Sequence, residues 1–275
     1  MSCSTPLQLK ETGVTVSCGK CSKCKKNRVN GWAFRLQKES IMYTSAAFLT
    51  LTYDTTKVHI TPKGLMTLNV RDHQLYMKRL RMMHTRKYGH CPLIRYYTCG
   101  EYGSKNRRPH FHQILFGADI ELVQPSWQNG SVHYGTVSGA SIMYTLKYMM
   151  KPPVHHWEGD DRVLEFQLMS ARLGKNYLTP EMVTWHRNDM DKRQYIPLED
   201  GKKIAMPRYY KDKIYTPEEQ ALINVAHAKR ASEEMVKYQT EMMAKFGDEW
   251  EHVKQQREIA DRKRMYKNAH EGRHI

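Results

Sequence analysis

The amino-acid sequence predicts an α+β fold: an antiparallel β-sheet flanked by helices, with a long charged C-terminal helix. Three observations predict it. Runs rich in β-branched and aromatic residues recur at 46–54, 93–103 and 109–117 and read as strands. The last two are joined only by the short basic loop SKNRR, which makes an antiparallel hairpin the simplest pairing. After Thr216 the chain is highly charged with sparse apolar positions, which suits an extended, solvated helix rather than a core.

Taken in order, residues 17–40 (SCGKCSKCKKNRVNGWAFRLQKES) open with a cysteine cluster and continue as a basic helix carrying Trp32, Phe34 and Leu36. AAFLTLTYD (46–54) reads as a buried strand ended by an Asp-Thr-Thr turn. From residue 70, Val70, Leu75, Tyr76, Leu80 and Met83 recur at near-helical spacing, with Asn69 placed to cap the start and Gly89 just past the end. The strands LIRYYTCGEYG (93–103) and PHFHQILFG (109–117) follow, then a Gly/Ser-rich stretch around 129–141. SIMYTLKYMMK (141–151) reads as a short helix stopped by Pro152 and Pro153. EFQLMSARLG is a strand leading to a turn at Gly174, and 194–215 is a basic, aromatic hairpin turning near Asp200-Gly201. Thr216-Pro217-Glu218-Glu219 is a capping box with proline at the first helical position, opening a helical region that runs to about residue 268. Four segments result: a cysteine-cluster and basic helical segment (1–40), a core (41–155), a core extension with the hairpin (156–215) and a charged helical region (216–275).

Composition narrows the partners. The 275 residues carry 44 Lys and Arg against 28 Asp and Glu, a formal net charge of +16. Such an excess attracts polyanions with salt-dependent affinity, nucleic acid foremost. No apolar run approaches the roughly 18 residues of a spanning helix, and the N-terminus lacks a basic-then-apolar signal plan. A cytoplasmic protein without a membrane partner is therefore expected. Of six cysteines, Cys18, Cys21 and Cys24 form C-x₂-C-x₂-C, a candidate structural Zn²⁺ site whose fourth ligand Cys3, Cys91, Cys99 or a histidine could supply. Free thiols beside a basic helix are the alternative.

The chemistry concentrates in two places. On a strand, residues two apart share a face, so His110 and His112 present two imidazoles side by side while Phe111 and Leu115 point to a core. The hairpin brings Glu101 close to both histidines. Two nitrogens and a carboxylate suit Mg²⁺ or Mn²⁺ with positions left for water or a phosphate oxygen. Fourteen histidines give about one His-x-His by chance, so the weight rests on the carboxylate and on the flanking Arg107 and Arg108. Further along, Tyr144 and Tyr148 lie four apart, on one helical face roughly 6 Å from each other, with Lys147 and Lys151 beside them. A phenol is a weak nucleophile at neutral pH; a polarised phosphate and a nearby ammonium would assist it. The expected product of attack on DNA is a 5′-phosphotyrosine and a free 3′-OH. Lys25 and Lys26 near the cysteines are candidate phosphate contacts. Arg208, Tyr209, Tyr210 and Lys211 interleave rings and charge as single-stranded DNA binders do.

At these residues the sequence resembles the HUH endonucleases, and among them the replication proteins of gokushovirus-like microviruses. FLTLTYD (48–54), HFH (110–112) and YTLKYMMK (144–151) stand in that family's order. GEYG…RPHFH, CGKCSKC…WAFRL, LMSARLGKNYL and MPRYYKDKIY also look like that group, so the likeness touches most of residues 16–215. The resemblance implies an HUH-type sheet, a nick at a replication origin, covalent attachment to the 5′ end, rolling-circle synthesis from the 3′-OH and closure of the unit genome. It further implies single-stranded or replicative-form origin DNA as partner, host helicase and polymerase as helpers, and the host bacterial cytoplasm as compartment. The competing expectation is a non-catalytic, zinc-containing nucleic-acid-binding protein. Convergence of Glu101, His110 and His112 beside the tyrosines separates the two.

Overall fold

The computed structural model describes residues 3, 5–10, 15–150 and 157–271. Two compact units divide the chain: residues 35–175 form one, and those up to 34 together with those from 176 onward form the other. In chain order the elements begin with helix α1 (Ser22–Ser40), strand β1 (Ala46–Thr52) and helix α2 (Val70–Tyr88). The hairpin β2 (Arg95–Tyr102) and β3 (Pro109–Phe116) follows, then strand β4 (Val132–Thr136), helix α3 (Gly139–Leu146) and strand β5 (Phe166–Met169).

The five strands form one antiparallel sheet in the order β4-β1-β3-β2-β5. Strand β3 takes the centre, and all of it is buried but His110. Leu49, Leu51, Phe111 and Leu115 on one sheet face pack with Tyr76, Met77 and Leu80 of α2 and with Trp127. Burying side chains of this size contributes on the order of 1.5–3 kcal/mol each, which fixes α2 across that face. Helix α2 has the ends expected of it: the Asn69 side chain accepts from the Arg71 N–H at 2.9 Å, and left-handed Gly89 (φ 76°) donates to the Thr85 carbonyl.

Two elements of this unit depart from expectation. Strand β4 lies inside the Gly/Ser-rich stretch, at the sheet edge, with only Val132 buried. The loop before it is pressed onto β1: Thr52 N–H donates to the Ser131 carbonyl, and Asp54 N–H to the Asn129 carbonyl. A Cβ at Gly130 would lie 2.2 Å from the Thr52 carbonyl oxygen, so that position has room only for glycine. Helix α3 starts earlier than expected, at a capping box of Ser138 and Ser141, and after Leu146 tightens into a 3₁₀ turn over Lys147–Met149. Pro152 and Pro153, expected to stop it, lie outside the described residues, as does Lys151.

The other unit contains α4 (Pro180–Arg187), the two-stranded hairpin β6 (Tyr195–Pro197) and β7 (Lys203–Ala205), α5 (Arg208–Ile214), α6 (Pro217–Phe246) and α7 (Trp250–Glu271). The turn at Asp200-Gly201 is where the sequence puts it (Gly201 φ 76°). The expected hairpin, however, ends at Ala205. Residues 208–214 are helical, because Tyr210 and Ile214, four apart, bury one helical face against Phe34, Tyr177 and Ile196. The capping box at Thr216 and Glu219 is present. The charged region it opens is two helices rather than one, divided at Gly247 (φ 57°) and the short turn Gly247–Glu249. Among the described residues no helix is long and apolar enough to cross a membrane.

Candidate active site

Alternation along β3 separates two roles. Phe111 and Leu115 belong to the core under α2, while His110 and His112 face the opposite side of the sheet. Cross-strand register supplies the rest. Glu101 of β2 lies opposite His110, and Thr50 of β1 lies opposite His112. The Glu101 carboxylate Oε1 is 2.8 Å from His110 Nε2 and 3.3 Å from His112 Nε2. One ligand atom from each of the three side chains falls within 4.8 Å of the others. The convergence expected from the hairpin is what the structure shows.

Both rings are held from behind. His110 Nδ1 donates to the Arg108 carbonyl at 3.1 Å, and His112 Nδ1 is 3.0 Å from Thr50 Oγ1. Each Nε2 is thereby turned toward Glu101. Such outer contacts fix tautomer and ring orientation in metal sites. Burial opposes the charge on Glu101, but hydrogen bonds from His110 and then His112, with their positive charge, outweigh it and hold the carboxyl down at about 2. The two histidines respond differently. Burial works against the charged form of both, yet pairing with Glu101 wins at His110 and raises it, whereas burial wins at His112 and lowers it. Pairing with Glu101 thus favours the charged form at His110 and not at His112. Glu101 is only 5% exposed, and its second oxygen, Oε2, is buried with no hydrogen-bond partner. A buried anionic oxygen left without a donor is costly. It marks where a cation fits, and the two nitrogens and the carboxylate are a donor set that could hold a metal ion.

Helix α3 and the 3₁₀ turn that follows it lay one tyrosine each over this face. Tyr144 Oη is 3.4 Å from His112 Nε2, and the two rings meet edge to face at 5.0 Å. Tyr148, in the 3₁₀ turn, stacks near-parallel to the His112 ring at 6.2 Å and is buried. The ring centres of Tyr144 and Tyr148 are 6.2 Å apart, and Lys147 Nζ sits 3.6 Å from the first and 5.0 Å from the second. Phe48 walls the site, stacked on His112 at 5.6 Å and edge-on to Tyr144 at 6.0 Å. Burial, followed by the negative charge of Glu101 and by Cys99, pushes the Tyr144 phenol up to about 12.

Other candidates fall elsewhere. The Arg108 guanidinium donates to the Tyr53 carbonyl and to Thr55 Oγ1, so it braces the end of β1; Arg107 is part of the turn, with a left-handed φ of 50°. Lys25, half-buried, and Lys26, exposed, lie on α1 in the second unit. In α5 the exposed Arg208 pairs with Asp212 at 3.4 Å, Tyr209 is half-buried, and burial holds Lys211 below the usual lysine range. Tyr210 is a correction: it is fully buried between Tyr177 and Phe34, so its ring has no face to offer a base. Cys18, Cys21 and Cys24 do cluster, and Cys3 joins them. Sequence reasoning missed Thr50 and Phe48. Both sit at alternate positions of FLTLTYD, the first and the third, which share the histidine face once β1 and β3 are paired.

Thr50→Val keeps the shape and removes the hydroxyl that orients His112. It is expected to weaken Mn²⁺ binding, followed by titration calorimetry, by about 10- to 100-fold, the usual scale for an outer-shell contact. Unchanged affinity would take Thr50 out of the site.

Residues 46–153, from the start of β1 past both tyrosines, match the family of the replication-associated protein ORF2. The chain is 29% identical over 216 residues to replication-associated protein VP4 of Bdellovibrio phage phiMH2K, covering 71% of this chain and 66% of that one. It is 26% identical over 231 residues to replication-associated protein ORF4 of Chlamydia phage 1, covering 74% and 55% respectively. Replication-associated protein ORF2 of Spiroplasma virus 4 is 26% identical over 219 residues, covering 71% and 66%. The matches span between 55% and 66% of these relatives' lengths. No solved structure matches. The matched segment contains Thr50, Glu101, His110, His112, Tyr144 and Tyr148. The sheet, the converging side chains and these likenesses agree: the chain is similar to phage replication-associated proteins, and its sheet and tyrosine helix fall within the segment that matches the family model.

Proposed function

We propose that this protein initiates rolling-circle replication by nicking single-stranded origin DNA through a tyrosine and later rejoining the ends. The observation that carries the reading is the Tyr144 hydroxyl 3.4 Å from His112 Nε2, in the same buried cluster as His110 and Glu101. Glu101, His110 and His112 would hold Mg²⁺ or Mn²⁺, which when bound supplies charge to polarise the scissile phosphate.

The chain's own groups then have defined tasks. Glu101 and the two Nε2 atoms set the position of the phosphate relative to α3. Tyr144 presents the attacking oxygen; its proton leaves as the bond to phosphorus forms, and the bond from phosphorus to the 3′ oxygen breaks. That oxygen takes up a proton and becomes a free 3′-OH, while the 5′ phosphate stays on tyrosine. Lys147, 3.6 Å from the Tyr144 ring centre, places an ammonium where phenolate and phosphorane charge develop. The phosphodiester energy is kept in the phosphotyrosine, so attack by a 3′-OH reverses the step and joins ends. Tyr148, one turn on, provides a second nucleophile for a second transfer.

The test is incubation of the full chain with circular single-stranded origin DNA and Mn²⁺ or Mg²⁺. A detergent-stable adduct on the new 5′ end, mapped by mass spectrometry to Tyr144 or Tyr148 and absent with EDTA, is the expected result. An adduct on another residue, or cleavage indifferent to EDTA, would sink the proposal.

A further inference from the structure

The endonuclease reading uses none of the cysteines, yet four of them meet. Cys3, Cys18, Cys21 and Cys24 have all their sulfurs within 4.8 Å of one another. We propose that these four thiolates bind one structural Zn²⁺, with Cys3 as the fourth ligand, and that the ion pins the start of the chain to the first turn of α1.

Three observations support a metal. The Cys3 and Cys21 sulfurs are 3.8 Å apart. That is far beyond a disulfide bond of ~2.05 Å, and it is the edge of a tetrahedron of ligands at a Zn–S distance of about 2.3 Å, which works out at about 3.8 Å. Second, donors converge on the sulfurs. The Cys18 N–H points to Cys3 Sγ at 3.3 Å, the Lys20 and Cys21 N–H groups to Cys18 Sγ at 3.4 and 3.3 Å, and the Cys24 N–H to Cys21 Sγ at 3.5 Å. Thr5 Oγ1 adds a donor to Cys18 Sγ at 3.3 Å. Donors of this kind stabilise thiolate, the form that binds metal. Third, the strand pairing that holds the described part of the segment is short. Leu7–Gln8 and Thr15–Val16 form a ladder only two residues long, and Leu7 and Leu9 are 54% and 45% exposed. A hairpin of that size is marginal by itself. Its register nevertheless sets Thr5 beside Cys18 and so delivers Cys3, which no spacing in the sequence identifies.

Each ligating thiol gives its proton to solvent. Four thiolates around a dication leave a net charge of about −2, offset here by Lys20, Lys23, Lys25, Lys26 and Arg28 in the same stretch. Cys99, buried in β2, and exposed Cys91 belong to the other unit and are no part of the cluster. The proposal involves none of the residues assigned to DNA cleavage, so either can fail without the other.

The zinc count is made on the full chain carrying His110→Ala and His112→Ala, so that the second cluster adds nothing. One zinc per chain should survive dialysis. Cobalt substitution should give the visible bands of a tetrahedral thiolate site, and zinc should protect Cys3 from alkylation together with Cys18, Cys21 and Cys24. Cys3→Ser should weaken zinc retention tenfold or more and alter the cobalt spectrum, while Cys91→Ser changes neither. Absence of zinc with all four thiols freely alkylated, a Cys3–Cys21 disulfide, or rapid alkylation of Cys3 alone in the zinc-loaded chain would each overturn it. The last measurement needs no variant, so a misfolded Cys3→Ser chain cannot obscure the outcome.

Discussion

Replacing Tyr144 and Tyr148 together by phenylalanine is expected to abolish the covalent DNA adduct while the protein stays folded. The rings do most of the packing. Tyr144 meets His112 and Phe48 edge-on, and Tyr148 stacks on His112; phenylalanine keeps all three contacts and the position of Lys147 over both rings. Loss of two hydroxyls should cost no more than about 1 kcal/mol apiece, visible as a small shift in Tm. Loss of the nucleophile is of another order, roughly 10³-fold or more in rate. The single variants separate the two tyrosines. Tyr144 has its oxygen at His112 Nε2, so Tyr144→Phe should suppress the first nick. Tyr148→Phe should still form the first adduct and fail at the second transfer that closes the circle. A double variant that still carries DNA on its 5′ end would remove both residues from the chemistry.

Glu101→Gln should have the second largest effect, and it should lower stability as well. The carboxylate is buried and held at about 2 by His110 and His112 after burial has worked against it. Glutamine retains a hydrogen-bonding oxygen but not the charge. Divalent-metal affinity is expected to fall by at least about 100-fold, since even outer contacts to metal ligands are worth 10- to 100-fold, and nicking should fall with it. Without metal, the variant should also unfold at a lower temperature than the parent, because the pairing of Glu101 with His110 and His112 outweighs its burial and removing one member of a buried pair is destabilising. The parent should gain roughly 2.7 kcal/mol when Mn²⁺ stands at 100 times its Kd; the variant should gain about 0.4 kcal/mol or less at that concentration. Thermal melts with and without Mn²⁺ read both effects. If added Mn²⁺ raised both Tm values equally, Glu101 would not be a ligand.

Much of this was legible in the sequence, and the exceptions have physical causes. Helix α2, the β2–β3 hairpin and the capping box at Thr216 could be read because each carries a local signal: Asn69 and Gly89 at two ends, a short basic turn, and a Thr-Pro-Glu-Glu run. Glu101 beside His110 followed from the hairpin alone. Strand β4 escaped because it is an exposed edge with one buried residue, held by a neighbour's backbone rather than by its own side chains. Helix α5 was hidden because Arg-Tyr-Tyr-Lys reads equally well as a polar strand, and only the core waiting at Phe34 and Tyr177 selects a helix. Thr50 behind His112 and Cys3 beside Cys18 depend on pairing between segments 62 and 15 residues apart. No window along the chain contains such a contact. The break at Gly247 was also passed over, since a lone glycine in a charged helix signals little until its positive φ is seen.

The alternation of β3 also governs how such a protein can change over generations. One residue inserted into this strand would turn the histidines into the core and Phe111 to the side of Glu101, because slipping by one exchanges the faces. Fold and chemistry would be lost in the same event, leaving no partly working ancestor on which selection could act. The exposed turn at 104–106 stands beside the site without that double duty. Length and composition are free to drift there, with the strand that carries the histidines left untouched.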